Sequence, residues 1–227
     1  MSNQVQGMAD VRDMYMAHNM FRREFSLVPG LLRGTPEGDT SRSRIVGAHV
    51  DLLCRILHAH HEGEDELVWP KLHDRGGAVA AELVPVMEGQ HAAIEDALKR
   101  VNELLPVWRE TATEGAKLAD VFDDLYARLC EHMKMEEDNI LPLAEKYITA
   151  TEWNGLGGHG MAAFSKKELP LCFGFVMYET DPVVIKTVLN HMPLPARLLL
   201  PRIAPRMYAS HALRVHGTAT PVTAPAG

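Results

Sequence analysis

The sequence predicts an all-α protein, an antiparallel up-down four-helix bundle with a short C-terminal helical extension. Three observations point to this fold class. Apolar residues recur at intervals of three and four through about the first 150 residues, which is typical of helices that bury one face. The segment around His60 is repeated around His132, and the segment around His18 is repeated around His91. A helical hairpin that occurs twice in tandem predicts four packed helices.

The four helices follow from the breaks between these segments. The first is predicted over residues 8–28 and ends at Pro29-Gly30. The second begins after a polar loop and kinks or ends near Pro70. The third ends around Pro106, and the fourth contains Pro142 at the place that Pro70 has in the second. Each interval accommodates a helix of about 25 residues and a connection.

After residue 149 the regular pattern ends. Short helices are expected over residues 151–159, 169–178 and 182–189, and a last helical stretch from residue 193 is expected to break at Pro201 and Pro205. The tail is rich in Thr, Ala and Pro, which is typical of disorder. We therefore divide the chain into a bundle (1–149), a helical extension packed on it (150–216) and a disordered tail (217–227).

Composition excludes several classes of protein. A net charge of −7 argues against nucleic acid as a partner, and the longest apolar run, residues 169–178, is too short to cross a membrane. Three cysteines without a paired motif argue for a reducing compartment. The N-terminal residues contain no basic stretch followed by an apolar run, so we expect no signal peptide and a cytoplasmic location.

Two His-carboxylate pairs indicate the chemistry. His60 and His132 each have a glutamate four residues on, Glu64 and Glu136. Because positions i and i+4 lie on one face of a helix, each pair can direct an imidazole and a carboxylate to the same point. Facing helices of bundles build dinuclear metal sites from such pairs. The repeat therefore predicts the two halves of a dinuclear site.

His18 and His91 supply the other two predicted ligand turns. Glu95 follows His91 by four residues and is expected to be a seventh ligand or a hydrogen-bonding neighbour of the site. Tyr15, three residues before His18, is a candidate ligand or proton donor, for which an ordinary core tyrosine is the alternative.

The second helix offers two competing pairs. His61 and Asp65 lie about 100° around the helix from His60 and Glu64. The latter pair continues the apolar stripe of the helix, and His60 matches His132 in its distance to the following proline. We therefore expect His60, rather than His61, to be the ligand.

The alternative to a metal site is a set of hydrogen-bonded core histidines and solvated carboxylates. Ionised carboxylates inside a core need partners, and the inward stripes contain no matching set of Lys or Arg. This shortage of cationic side chains favours metal ions.

These residues resemble a known family. The segments HHEGEDELVWP (60–70), HMKMEEDNILP (132–142) and EGQH (88–91), with His18, are similar to those of hemerythrin-like (HHE cation-binding) domains of the carboxylate-rich bacterial or actinobacterial type. The resemblance covers residues 8–148 and implies a four-helix bundle around two non-haem iron ions joined by an oxo or hydroxo bridge. It implies six ligands: His18, His60, Glu64, His91, His132 and Glu136.

The chain departs from the family's oxygen carriers at one position. Those proteins have a second histidine four residues after the histidine of the third helix, whereas this chain has Glu95. Anionic oxygen donors stabilise ferric iron and favour turnover over reversible binding. Glu95 is therefore expected as a ligand or proton relay, with Tyr15 as a further catalytic candidate.

The expected function is that of a diiron oxidoreductase whose small-molecule ligand is dioxygen, hydrogen peroxide or nitric oxide. Two alternatives remain open: an oxygen- or iron-sensing module without turnover, and a diiron oxygenase acting on a small organic substrate. We expect a monomer or homodimer with neither a nucleic-acid nor a membrane partner.

Overall fold

The computed structural model describes residues 7–223, and these residues contain helices and no strand. The predicted all-α class is confirmed. The helices are α1 (Arg12–Arg33), α2 (Thr40–Leu67), α3 (Trp69–Arg75), α4 (Gly77–Thr111), α5 (Gly115–Met135), α6 (Leu141–Tyr147), α7 (Ala150–Ala162), α8 (Leu169–Met177), α9 (Pro182–Asn190) and α10 (Leu194–His216), with a π-helical turn, Glu136–Ile140, between α5 and α6.

Helices α1, α2, α4 and α5 form the bundle. They pack as a ring in which α1 contacts α2 and α5, and α4 contacts the same two helices. Short connections join α1 to α2 and α4 to α5, as expected for antiparallel neighbours. The four-helix bundle predicted from the sequence is therefore present.

The bundle core consists of two apolar clusters with a polar layer between them. The larger cluster is formed by residues such as Phe25 and Phe122, which are fully buried with their rings 5.2 Å apart. The smaller cluster surrounds Trp69 at the other end of the bundle. The candidate ligands of α1, α2 and α4 come between residues of the two clusters along the chain, and His132 of α5 lies at the edge of the larger cluster. A buried polar layer flanked by apolar residues on both sides excludes bulk water from the ligand groups.

Two helix ends differ from the prediction. Pro29 does not end α1, which continues to Arg33, and Pro106 does not end α4, which continues to Thr111. Each proline removes one backbone hydrogen bond close to a helix end. Burial of Leu32 and Trp108 after the two prolines stabilises the last turns.

The prediction that two prolines interrupt the last helix, α10, is wrong. The helix runs through Pro201 and Pro205 without interruption. Side chains around the first of these prolines are largely exposed, so water can satisfy the carbonyl that loses its N–H partner. The structure confirms the break near Pro70, where α2 ends at Leu67 and α3 begins at Trp69.

The extension lies against the α1–α2 side of the bundle. Helix α7 starts at a capping box formed by Thr149 and Glu152 and packs along α2. Helices α8 and α10 pack on each other, α8 against α1 and α10 against α2. Of the tail expected to be disordered, residues 224–227 lie outside the described part. None of the helices between residues 7 and 223 has the length and apolar content that a bilayer crossing requires.

Candidate metal centre

The polar layer brings side chains from all four bundle helices to one place. Two groups of potential ligand atoms form there, each with its atoms within 4.8 Å of one another. The first group contains one carboxylate and three imidazoles, and the second contains the same carboxylate and two further imidazoles. The members are His61, Glu64, His91 and His132 in the first group, and His18, His60 and Glu64 in the second.

Glu64 is the residue that the two groups share. Its Oε1 lies 3.2 Å from His60 Nε2, and its Oε2 lies 3.3 Å from His91 Nε2. The carboxylate is fully buried. One oxygen therefore faces each group, which is the arrangement of a carboxylate that bridges two metal ions.

Glu136 approaches the same layer from the opposite side of the bundle. Its Oε2 lies 3.1 Å from His18 Nε2 and 3.8 Å from His132 Nε2. Glu136 opens the π-helical turn, a wide turn that is common at functional sites. This carboxylate also reaches one imidazole from each group, so it is a second candidate bridge.

Most donor atoms of the layer meet without forming a hydrogen bond, and the contact between Nε2 of His91 and Nε2 of His132 is the exception. Nε2 of His18 and of His61, both carboxylate oxygens of Glu64, and Oε2 of Glu136 are buried and have no hydrogen-bond partner. Leaving buried polar atoms unpaired costs about 1–3 kcal/mol each. Lone pairs that converge on common points, at 3.1–3.3 Å from their neighbours, are instead what a metal ion requires of its ligands. The residues present therefore fit bound metal.

The far sides of the imidazoles are held by hydrogen bonds. His18 Nδ1 lies 2.8 Å from Glu137, whose carboxylate accepts two bonds from Arg22 at 2.8 and 2.9 Å. Carboxylates in this position fix the ring and direct the other nitrogen to a metal. This leaves Nε2 of His18 for the shared layer.

The same arrangement occurs on the other side of the layer. His91 Nδ1 lies 2.7 Å from Asp65, which also accepts a 2.7 Å bond from the Trp69 indole. His132 Nδ1 lies 3.3 Å from the Gln90 side-chain oxygen. Both rings therefore present Nε2 to the layer, where these two nitrogens lie 3.2 Å apart.

The environment sets opposite protonation states within the layer. Burial opposes protonation of His18, but Glu136 and Glu137 raise the pKa of His18 to about 9. Burial likewise opposes protonation of His91, and Asp65 and Glu64 still raise its pKa to about 9. Among the protein groups alone, two imidazolium ions therefore face the buried carboxylates. Since imidazole binds a metal only when neutral, a metal ion would displace these protons.

Burial favours the neutral form of the other three imidazoles and of the Glu64 carboxyl group. Burial lowers the pKa of His60 to about 3 and places the pKa values of His61 and His132 well below the ordinary value. Burial, with the nearby Glu136 charge, raises the pKa of Glu64 to about 7. A carboxylate in this environment is stabilised in its ionised form by a cation.

Comparison with known proteins agrees with this geometry. The family model described as hemerythrin HHE cation binding domain matches residues 9–144, which include every residue of the two groups. The chain belongs to this family. No curated protein and no solved structure matches the chain.

The structure places one residue of this hemerythrin domain differently from the expectation. His61, which sequence reasoning set aside in favour of His60, lies in the first ligand group. Its ring stacks on His91 with centroids 4.1 Å apart and meets the edge of His132 at 4.9 Å. His60 lies in the second group, so both neighbours face the layer. The choice between them does not arise, because the two groups approach α2 on adjacent sides.

Three expected residues belong to neither group: Glu136, which still contacts the polar layer, and Glu95 and Tyr15, which lie away from it. Glu95 has a side chain that is 41% exposed, and its carboxylate contacts His58 of α2 at 3.2 Å. Tyr15 lies on the outer side of α1 and is 40% exposed. The imidazole next to His91 and His132 in this hemerythrin domain is that of His61, not a group at position 95.

Sequence reasoning missed the residues that support the ligands. Asp65, Gln90 and Glu137 contact the outer nitrogens of three of the imidazoles. Asp65 and Glu137 each directly follow a glutamate of the layer, Glu64 and Glu136. The occurrence of two consecutive acidic residues in both segments was the signal in the sequence that could have identified Asp65 and Glu137.

Proposed function

We propose that the protein is a non-haem diiron protein that binds and reacts with dioxygen, hydrogen peroxide or nitric oxide. The supporting observation is the position of Glu64, whose two unpaired oxygens each face a separate group of imidazoles. One ion would be held by His18 and His60, and the other by His61, His91 and His132. Glu64 and Glu136 would bridge them.

The donor set supports iron. Mixed imidazole and carboxylate ligands from four helices are the donors of dinuclear iron sites in helix bundles. Five neutral imidazoles and two carboxylates leave a pair of ferrous or ferric ions with a net positive charge, which favours binding of small anionic or electron-rich ligands. Bound iron would supply the electrons exchanged with dioxygen, peroxide or nitric oxide.

Burial of the layer supports a small ligand. Side chains of Glu64, His132 and Glu136 are at most 1% exposed, and His60, the most accessible of the ligands, is 15% exposed. A diatomic molecule or peroxide can reach such a layer through side-chain fluctuations, whereas an organic substrate needs an open pocket. A cavity of about 150 Å³ lies between α1, α7 and α9, but none of its lining residues belongs to either ligand group. The oxygenase alternative therefore gains no support from it.

A sensing function is the second candidate, because α7 contacts the ligand-bearing turn of α2. A Cβ atom at Gly63 would lie 3.3 Å from the His159 ring and 3.4 Å from Leu156. Gly63 directly precedes Glu64, so a change in the position of this carboxylate would press on α7. In a sensor, ligand binding would move α7 and the reactant would not be consumed.

The two functions are separated by one experiment on the full chain. Metal-free protein is reconstituted with two equivalents of ferrous iron without oxygen and given excess ascorbate as the electron donor. The consumption of hydrogen peroxide, nitric oxide and dioxygen is then followed over many equivalents. The proposal predicts repeated turnover of at least one of them. A Glu64→Gln variant serves as the control for iron that is bound elsewhere or free. Stoichiometric binding without turnover, together with a change in proteolysis of α7, would decide for the sensor.

A further inference from the structure

A second buried polar cluster lies where the extension meets the bundle. Glu24 of α1, His49 of α2 and His216 at the end of α10 bring their ligand atoms within 4.8 Å of one another. Glu24 follows His18 by six residues, about 9 Å along α1, and points to a different side of the helix. This cluster shares no residue with the polar layer of the bundle. We propose that it is a separate binding site for one divalent metal ion of the zinc class, which fastens the end of α10 to the bundle.

The spacing of the donor atoms fits a tetrahedral ion. Glu24 Oε2 lies 3.2 Å from His216 Nε2 and 3.6 Å from His49 Nε2. Zinc binds nitrogen and carboxylate oxygen at about 2.0–2.2 Å, so ligand atoms around a tetrahedral ion are about 3.3–3.5 Å apart. The two observed distances lie on either side of this range. Two imidazoles and one carboxylate are the protein ligands of zinc sites that keep a fourth position for water.

His49 supplies an independent observation. Its ring is fully buried, and its Nε2, the atom facing Glu24, has no hydrogen-bond partner. Its Nδ1 lies 3.0 Å from His211 Nε2. When Nδ1 donates its proton to His211, the lone pair of Nε2 points into the cluster, as in metal-bound histidines that donate from their other nitrogen. Arg214 Nη2 lies 3.5 Å from His211 Nδ1, a hydrogen bond at the long limit that favours the opposite tautomer only weakly.

Glu24 is held so that one oxygen remains available. Its Oε1 accepts bonds from Arg23 Nε at 2.9 Å and from the Tyr208 hydroxyl at 2.7 Å, and these fix the carboxylate plane. Oε2 is thereby turned toward the two imidazoles. Burial opposes ionisation, but His216, His49 and Arg23 lower the pKa of Glu24 to about 2, so the ligand is anionic at neutral pH.

The remaining groups of the cluster are compatible with a cation. Burial lowers the pKa of His49 to about 3, so its imidazole is neutral at neutral pH. The Arg23 guanidinium is on the Oε1 side of the carboxylate and has Glu179 3.5 Å away as a second anion. His216 borders a surface groove with Leu27, Leu31 and Thr218, which gives an ion and its water a route from solvent.

The competing explanation is a hydrogen-bond network that attaches α10 without metal. In that network His216 donates to Glu24 at 3.2 Å, and His49 contributes no bond through Nε2. In that network His49 Nε2 faces Glu24 Oε2 at 3.6 Å, longer than a hydrogen bond, so the fully buried imidazole keeps one nitrogen without a hydrogen-bond partner. The two explanations differ in a measurable quantity, the number of ions bound.

The experiment counts zinc bound by the full chain. Metal-free wild type and three variants, His216→Gln, Glu24→Gln and His73→Gln, are equilibrated with zinc sulfate, separated from free ion and analysed for metal. His73 is an exposed histidine of α3 and gives the matched control. We expect His216→Gln and Glu24→Gln to bind one ion fewer than the other two proteins. Because only the difference is used, this result is independent of how many ions the diiron layer takes.

A second measurement follows the attachment of α10. Trypsin can cut α10 at Arg206 and Arg214 when this helix opens. With free zinc at ten times the dissociation constant, the opened population falls about tenfold, and cleavage slows by the same factor. We expect this protection in wild type and His73→Gln but not in His216→Gln. Equal zinc stoichiometry in all four proteins, or equal protection of wild type and His216→Gln, would overturn the proposal.

Discussion

Replacing Glu64 with glutamine is expected to weaken the binding of both iron ions. The carboxylate belongs to both ligand groups, with one oxygen 3.2 Å from His60 and the other 3.3 Å from His91. Removing one partner of a buried ion pair costs about 3–5 kcal/mol. At about 1.4 kcal/mol per tenfold, the affinity for each ion falls about 10²- to 10⁴-fold.

The metal-free form of this variant should not be less stable than metal-free wild type. Burial and the Glu136 charge raise the pKa of Glu64 to about 7 even though the His91 imidazolium lies beside it, so the ionised carboxylate destabilises the metal-free fold. A neutral amide of the same shape removes that cost. We therefore expect an equal or higher Tm and unchanged helix content in the absence of metal, together with a loss of iron.

The assay combines iron analysis after gel filtration with circular dichroism and thermal unfolding, each with and without ferrous iron. Glu62→Gln is the matched control, because Glu62 lies on the same helix with its side chain 49% exposed. Iron should raise the Tm of wild type and of the control but not that of Glu64→Gln. Retention of two irons with unchanged affinity in Glu64→Gln would refute the bridging role.

Three further predictions test individual residues. His61→Phe should lower the affinity for one of the two ions by at least roughly 10- to 100-fold, the cost of losing a residue that merely supports a ligand. An iron titration would then show a second, weaker step. A single unchanged step would remove His61 from the ligand set. Glu95→Gln should leave iron content and turnover within about twofold, since an exposed pair with His58 contributes little, and a loss of iron in this variant would restore Glu95 as a ligand. Phe122→Ala should lower the free energy of unfolding by about 3–5 kcal/mol in urea titration, because the ring is fully buried against Phe25, and a change below about 1 kcal/mol would show that the core closes around the gap.

The repeat in the sequence predicted the bundle and the helices that carry the ligands because both have a regular period. Spacing of four residues places His60 with Glu64 and His132 with Glu136 whatever the rest of the chain does. The same reasoning excluded His61, because it allowed each helix a single inward face. Helix α2 contacts one group of ligands on each of two adjacent sides, and that depends on where α1 and α4 pack.

The periodicity of the sequence could not predict contacts between segments that are far apart in the chain. Glu24, His49 and His216 are brought together only when α10 packs on the bundle, and no spacing in the chain relates them. The position of Glu95 depends in the same way on its contact with His58 across α2 and α4. The ends of α1 and α4 were predicted too early from their prolines, because burial of Leu32 and Trp108 outweighs the loss of one backbone hydrogen bond.

The central claim is that two iron ions share Glu64 inside the bundle. Anomalous diffraction at the iron edge, from crystals of iron-reconstituted protein, tests it most directly. We predict two iron peaks between α1, α2, α4 and α5, one beside His18 and His60 and the other beside His91 and His132, with the Glu64 carboxylate between them. A single peak, or two peaks with no carboxylate in common, would contradict the account.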